Sequence, residues 1–92
     1  MSEEPIKRRL LRAKKKATDD LQKIGYKIIP SDNSTFCILG VRKLEIRMVR
    51  VVIDEITKDD IAIIEEFAPP GMCSKEIWCK IEGQRGFIIK EV

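Results

Sequence analysis

Three sets of residues in this 92-residue chain have the types and spacing to do chemistry. The first is basic. Lys7, Arg8, Arg9, Arg12, Lys14, Lys15 and Lys16 fall within ten positions, with only Glu3 and Glu4 to offset them. Residues 1–16 therefore carry a formal +5, and since the whole chain is +3, residues 17–92 sum to −2. A local excess of cations attracts polyanions such as DNA or RNA. The same composition also makes an ordinary solvated helix face. The second set is acidic: Asp32, then Glu45-Ile46-Arg47, then Asp54-Glu55. Carboxylates are hard-cation ligands, and a neighbouring cation can position a water for attack. Asp54-Glu55, adjacent in sequence, is one place where an ion could gather. Single acids at such spacings serve equally as helix caps and surface ion pairs. The third is Arg50, a guanidinium in an otherwise apolar run, which must find a carboxylate or backbone carbonyls if it is buried.

Other chemistries are excluded more firmly. The chain has no histidine, so a Ser or Cys nucleophile lacks its usual general base. Neither G-x-S-x-G nor a P-loop is present. The three cysteines, Cys37, Cys73 and Cys79, are an odd number without a C-x-x-C pair, which indicates neither a disulfide framework nor a zinc site and points to a reducing, cytoplasmic setting. Cys37 and Cys79 sit in apolar strand patterns and read as buried hydrophobes, whereas Cys73 falls in an expected loop. No apolar run is long enough to cross a membrane, and no signal peptide is legible. With 43% hydrophobic and 36% charged residues the chain reads as one folded domain over residues 1–92, far from a disordered composition.

The elements that must position these groups are legible from periodicity. Ile6, Leu10, Ala13, Ala17, Leu21 and Ile24 recur at helical spacing, predicting a helix over residues 2–24 that Ser2 caps and Gly25 stops. At 100° per residue Arg8, Arg12 and Lys15 lie opposite that stripe, flanked by Arg9 and Lys16. Residues 26–29 form a short apolar strand ended by Pro30, and residues 35–41 a second. Arg42-Lys43 links it tightly to a third strand, residues 44–53, on which the chain is centred. There Leu44, Ile46 and Met48 alternate with Glu45 and Arg47, and from Val49 both faces turn apolar apart from Arg50. One end of this strand should be wet and the other deep. Thr57 opens a second helix with Asp60 as its capping-box partner and Ile56 and Ile61 as a staple. Ile61, Ile64, Phe67 and Ala68 form its inner stripe before Pro69-Pro70-Gly71. A strand over residues 75–82 follows, with Trp78 opposite Ile77, Cys79 and Ile81 and either covered by a helix or left for stacking or dimer contact. A turn at residues 83–86 then leads to a last strand, residues 87–92.

The order is α-β-β-β-α-β(-β), a mixed α/β sheet of four to five strands with helices packed on it. The run A-x-x-x-A-x-x-x-L-x-x-x-G-Y-K-I-I-P-S-D from Ala13 to Asp32, the strands FCILGV and IRMVRVVID, the capped helix before Pro-Pro and the strand KEIWCKI together resemble the PD-(D/E)xK nucleases, in particular the Holliday-junction-resolvase-like members. The resemblance implies a restriction-endonuclease-like core, DNA as partner, and a magnesium-type ion held by an acid on the second strand and a D/E-x-K on the third. Here the first position falls at Phe36 or Cys37 and the second near Arg50-Val51-Val52, so the ligands and the lysine are replaced. The expectation is a non-catalytic, nucleic-acid-associated module of nuclease-like fold that needs no cofactor and binds through Arg8, Arg9, Arg12, Lys15 and Lys16. The alternative is a protein-interaction or homodimerisation module without nucleic acid, and the third reading is the weak nuclease built on Asp32, Glu45 and Arg47.

Overall fold

The computed structural model describes residues 6–31, 35–67 and 73–92. Seven elements follow in chain order: α1 (Ile6–Lys23), β1 (Lys27–Pro30), β2 (Ile38–Arg42), β3 (Glu45–Ile53), α2 (Lys58–Glu65), β4 (Cys73–Lys80) and β5 (Ile88–Glu91). The five strands form one sheet in sequence order, antiparallel except between β3 and β4. That exception is where α2 carries the chain from the end of β3 back to the start of β4, as a β-α-β passage requires. The mixed sheet and element order agree with the sequence reading. Ser2, Ala68 and the Pro69-Pro70-Gly71 helix stop lie outside the described residues.

Period-two alternation along β3 assigns the two faces. Val49 and Val51 are buried against Ala13, Ala17 and Leu21 of α1, together with Tyr26, Ile38 and Trp78. Met48 and Val52 point the other way and pack with Phe36, Ile64, Ile77 and the Ile56 and Ile61 staple of α2. The helices therefore cover opposite faces, which is why β3 and β4 are apolar on both sides. Gly25 stops α1 at φ 99°, a left-handed conformation that a side chain would strain.

Several expectations need correction at element ends. The helical stripe is buried only in its middle, since Ile6 and Ile24 are 68% and 51% exposed. Leu44 belongs to a two-residue turn, Lys43-Leu44, between the paired Arg42 and Glu45, and so lies 78% exposed outside the strand. Lys43 takes a positive φ of 55° at the first turn position. Cys73 is the first residue of β4, opposite Ile46, rather than a loop residue. Its pairing with β3 extends the strand backwards where sequence alone showed no apolar alternation.

The start of α2 joins two expected features into one. The Thr57 side chain accepts from the Asp60 backbone N–H at 3.1 Å, while an Asp60 carboxylate oxygen accepts from the Thr57 backbone at 3.0 Å. The other Asp60 oxygen accepts from Arg50 Nε at 3.0 Å, and Arg50 Nη1 donates to the Thr35 carbonyl at 3.1 Å. The guanidinium has thus found both a carboxylate and a carbonyl, as its apolar surroundings demand. Asp60 holds a cap and neutralises a half-buried cation at once. Asp60→Ala should cost about 2–4 kcal/mol, the sum of a lost cap and an uncompensated guanidinium. A lower urea midpoint at unchanged m-value checks this, with Asp60→Asn, which keeps the acceptor and loses the charge, falling between.

Candidate functional site

α1 sorts its cations by exposure. Arg8, Arg12 and Lys15 are exposed on the outer side, as the wheel predicts. Arg9 and Lys16 are drawn inward. Arg9 forms a two-pronged ion pair with Asp54, at 2.6 and 3.1 Å, and reaches Glu82 at 3.7 Å, while Lys16 meets Asp20 at 3.4 Å. The guanidinium holds the Asp54 carboxyl below the ordinary value even though partial desolvation works against it. Asp54 therefore ties the end of β3 to α1, with both oxygens committed. The acidic residues of α1 are Asp19 and Asp20 near its C-terminal end, so its N-terminal half is basic throughout.

Glu45 and Arg47 share the α1 face of β3, but beyond the end of the α1 packing they enter a polar network. Arg47 donates to both oxygens of Glu76 on β4, at 2.9 and 2.6 Å. Trp78 Nε1 and Ser74 Oγ donate to the same carboxylate at 2.9 and 2.8 Å. Glu45 accepts from Arg42 at 3.0 Å and from the Tyr26 hydroxyl at 3.3 Å. The guanidiniums of Arg42 and Arg47 lie 4.6 and 5.3 Å from the centre of the Tyr26 ring, close enough for cation–π attraction. A shallow cavity of about 250 Å³ opens over Tyr26, Glu45, Arg47, Ser74, Glu76 and Glu91. Burial pushes the Glu76 carboxyl up, but the hydrogen bonds from Arg47, Trp78 and Ser74 outweigh it and leave the pKa lowered. Hydrogen bonding to Arg42 is the main cause that lowers Glu45. Trp78, only 3% exposed, is covered on the α1 side of the sheet and leans on Phe87.

Within this network both members of the expected E-x-R motif, Glu45 and Arg47, have partners. They do share a strand face, but Glu45 is held by Arg42 and Tyr26, and Arg47 is committed to Glu76, a carboxylate that sequence reasoning did not single out. Asp32, the third member of that set, lies outside the described residues. The positions that the nuclease resemblance assigns to metal ligands are filled otherwise. Phe36 is 2% exposed and meets Phe67 edge-on at 5.2 Å. The Cys37 thiol accepts from the Val51 N–H at 3.3 Å and lies 3.7 Å from the Val49 carbonyl, knitted into the backbone of β3. Arg50 is engaged with Asp60, and Val51 is buried. Among the described residues, no three Asp, Glu, Cys or His side chains converge so as to hold a metal ion.

Sequence reasoning missed Glu76, Lys75 and Lys80. The signal for Glu76 was its parity: Ser74, Glu76 and Trp78 alternate on one face of β4, the face that Arg47 shares across the parallel pair. Lys75 donates to the Ile64 and Phe67 carbonyls at 3.0 and 2.9 Å, satisfying the open end of α2. Nothing local in the sequence indicates that contact.

No family model and no curated protein sequence matches the chain. Among solved structures, Archaeoglobus fulgidus Hjc, a Holliday junction resolvase from an archaeal hyperthermophile, superposes with a TM-score of 0.70 over 90% of this chain and 72% of that one, at 12% identity. The chain thus has the fold of the small PD-(D/E)xK nucleases, as its element order and apolar pattern imply. Among the described residues, no helix is long and apolar enough to cross a membrane.

Glu76 and Asp60 both titrate below their ordinary values of 4.5 and 3.8, Asp60 because the Thr57 and Arg50 hydrogen bonds exceed the effect of burial. A carboxylate depressed in the folded state stabilises it fully above the unfolded pKa, and that stability is lost as pH falls through the folded value. Resistance to urea should therefore be level near neutrality and drop below about pH 4.5. Glu76→Gln should cost about 2–3 kcal/mol at pH 7, by leaving Arg47 uncompensated, and should flatten the acid limb. An acid limb as steep as that of the wild type would show that Glu76 is not the group responsible.

Proposed function

We propose that this protein is a nucleic-acid-associated module of nuclease-like fold that does not cleave its partner and binds it through the outer face of α1. The observation that carries the reading is the exposed row Arg8, Arg12 and Lys15 on a helix whose N-terminal half has no acid among its described residues. A backbone of phosphates is the polyanion such a row fits, because its charge repeats along one direction as the helix does. The fold supports the reading, since a protein that shares it is a Holliday junction resolvase. The residues standing at the ligand positions support the absence of cleavage and of a magnesium requirement. Three free cysteines suit a reducing compartment, and we place the protein in the cytoplasm.

The alternative, a homodimerisation module without nucleic acid, is favoured by one observation. β5 is one of the two edge strands, and its Ile88 and Ile89 are 50% and 49% exposed, an edge without proline on which a second copy could pair.

Binding to α1 should weaken with salt at a log–log slope of about −0.9 per phosphate neutralised. Replacing Arg8, Arg12 and Lys15 by Gln alters only exposed positions, so the fold should persist while affinity falls alike for every sequence and the slope flattens by roughly two to three units. Fluorescence anisotropy across a salt series checks this. A wild-type chain without salt-sensitive binding to DNA or RNA would leave the dimerisation alternative in its place.

Incubation with branched, duplex and single-stranded DNA plus magnesium or manganese should leave every substrate intact. Cleavage abolished by Asp32→Ala or Glu45→Ala would restore the nuclease reading.

A further inference from the structure

A cleft of about 280 Å³ separates α1 from the turn that follows β4, lined by Arg9, Arg12, Lys16, Lys80, Glu82 and Gly83. Four cations from two elements line it with one carboxylate, Arg9 being paired with Asp54 and Lys16 with Asp20 outside the lining. Lys80 differs from the helical cations in being fixed by the turn itself. Its ammonium donates to the Ile81 carbonyl at 3.4 Å and to the Gln84 carbonyl, which accounts for two of its three N–H groups and leaves one for a ligand in the cleft. Glu82 is held only loosely. It is 83% exposed and stands 3.7 Å from Arg9, too far for a hydrogen bond. At the lip, Gly83 has open space where a side chain would begin, with nothing within 4 Å.

We infer that this cleft seats a phosphate group of the bound nucleic acid, with Lys80 as the contact supplied by the sheet. The inference rests on the proposed binding through α1 and extends it. The phosphate track does not stay on the helix but crosses onto the turn between β4 and β5, so the interface is a groove between two elements. A phosphate there meets a fixed ammonium and displaces Glu82 from Arg9, whose guanidinium already borders the cleft. Glu82 then acts against binding, since its charge competes for the same cations.

The test uses the full chain and a short labelled DNA duplex in a salt series. Lys80→Gln should weaken binding about fivefold to tenfold at low salt and flatten the slope by roughly one unit, the signature of one lost phosphate contact. Lys80→Arg should bind like the wild type, because it keeps the charge. Glu82→Gln should bind more tightly, a sign that damage to the fold would not produce. Lys80→Gln and Glu82→Gln binding like the wild type, while the Arg8, Arg12 and Lys15 variant is impaired, would overturn the cleft and leave the helix reading standing. Lys80→Arg as weak as Lys80→Gln would also overturn it, by showing that turn geometry and not charge matters. A wild-type chain that binds no duplex removes both.

Discussion

Two guanidiniums on one strand must both be neutralised inside the sheet, and much of the structure follows from how this is done. Arg47 and Arg50 are an odd number of residues apart, so they leave β3 toward opposite faces. Arg47 is matched by Glu76 on the neighbouring parallel strand, on the face that α1 covers. Arg50 is matched by Asp60 in the first turn of α2, on the other face. The first pair fixes β3 against β4 beside a buried tryptophan, and the second fixes the start of the helix that joins those strands. Neither pair need contribute more than a well-packed apolar pair would, because desolvation offsets much of the attraction. Once one partner is buried, however, the other cannot be dispensed with. The apolar layers on either side of β3 are arranged around these two fixed points.

The same constraint shapes what the molecule has left for function. Several carboxylates are engaged by cations or caps: Glu45 by Arg42 and Tyr26, Asp54 by Arg9, Glu76 by Arg47, Asp60 by Arg50 and the Thr57 cap. Phe36 and Val51 carry the core through the region where the resemblance implies a metal centre. Exposed cations lie at one side, on the outer face of α1, with Lys80 across the cleft from them. A fold shared with a Holliday junction resolvase has here an apolar centre and a basic flank.

Much of the fold was legible because it depends on local rules. The stripe of Ala13, Ala17 and Leu21, the full capping box at Thr57 and the glycine stop at Gly25 are written in short spacings that hold whatever surrounds them. The change of character along residues 44–53 likewise located the strand that lies between β2 and β4. Strand ends were less legible. Leu44 and Cys73 have ordinary apolar character, and only pairing with a neighbouring strand decides that one is in a turn and the other in the sheet.

The candidate site divides along the same line. Sequence by itself determined that Arg8, Arg12 and Lys15 share the helix face opposite the apolar stripe, because 3.6 residues per turn leaves no other arrangement, and that Arg50 needed a partner, because a guanidinium among valines does. Only the tertiary structure decided which partner it would be. Arg50 and Asp60, Arg47 and Glu76, Arg9 and Asp54 are separated by 10, 29 and 45 positions, and no period connects them. Long-range charge pairing is set by which strand lies beside which and by where a helix lands. Those are properties of the packed sheet, so the partner of each carboxylate could be read only there.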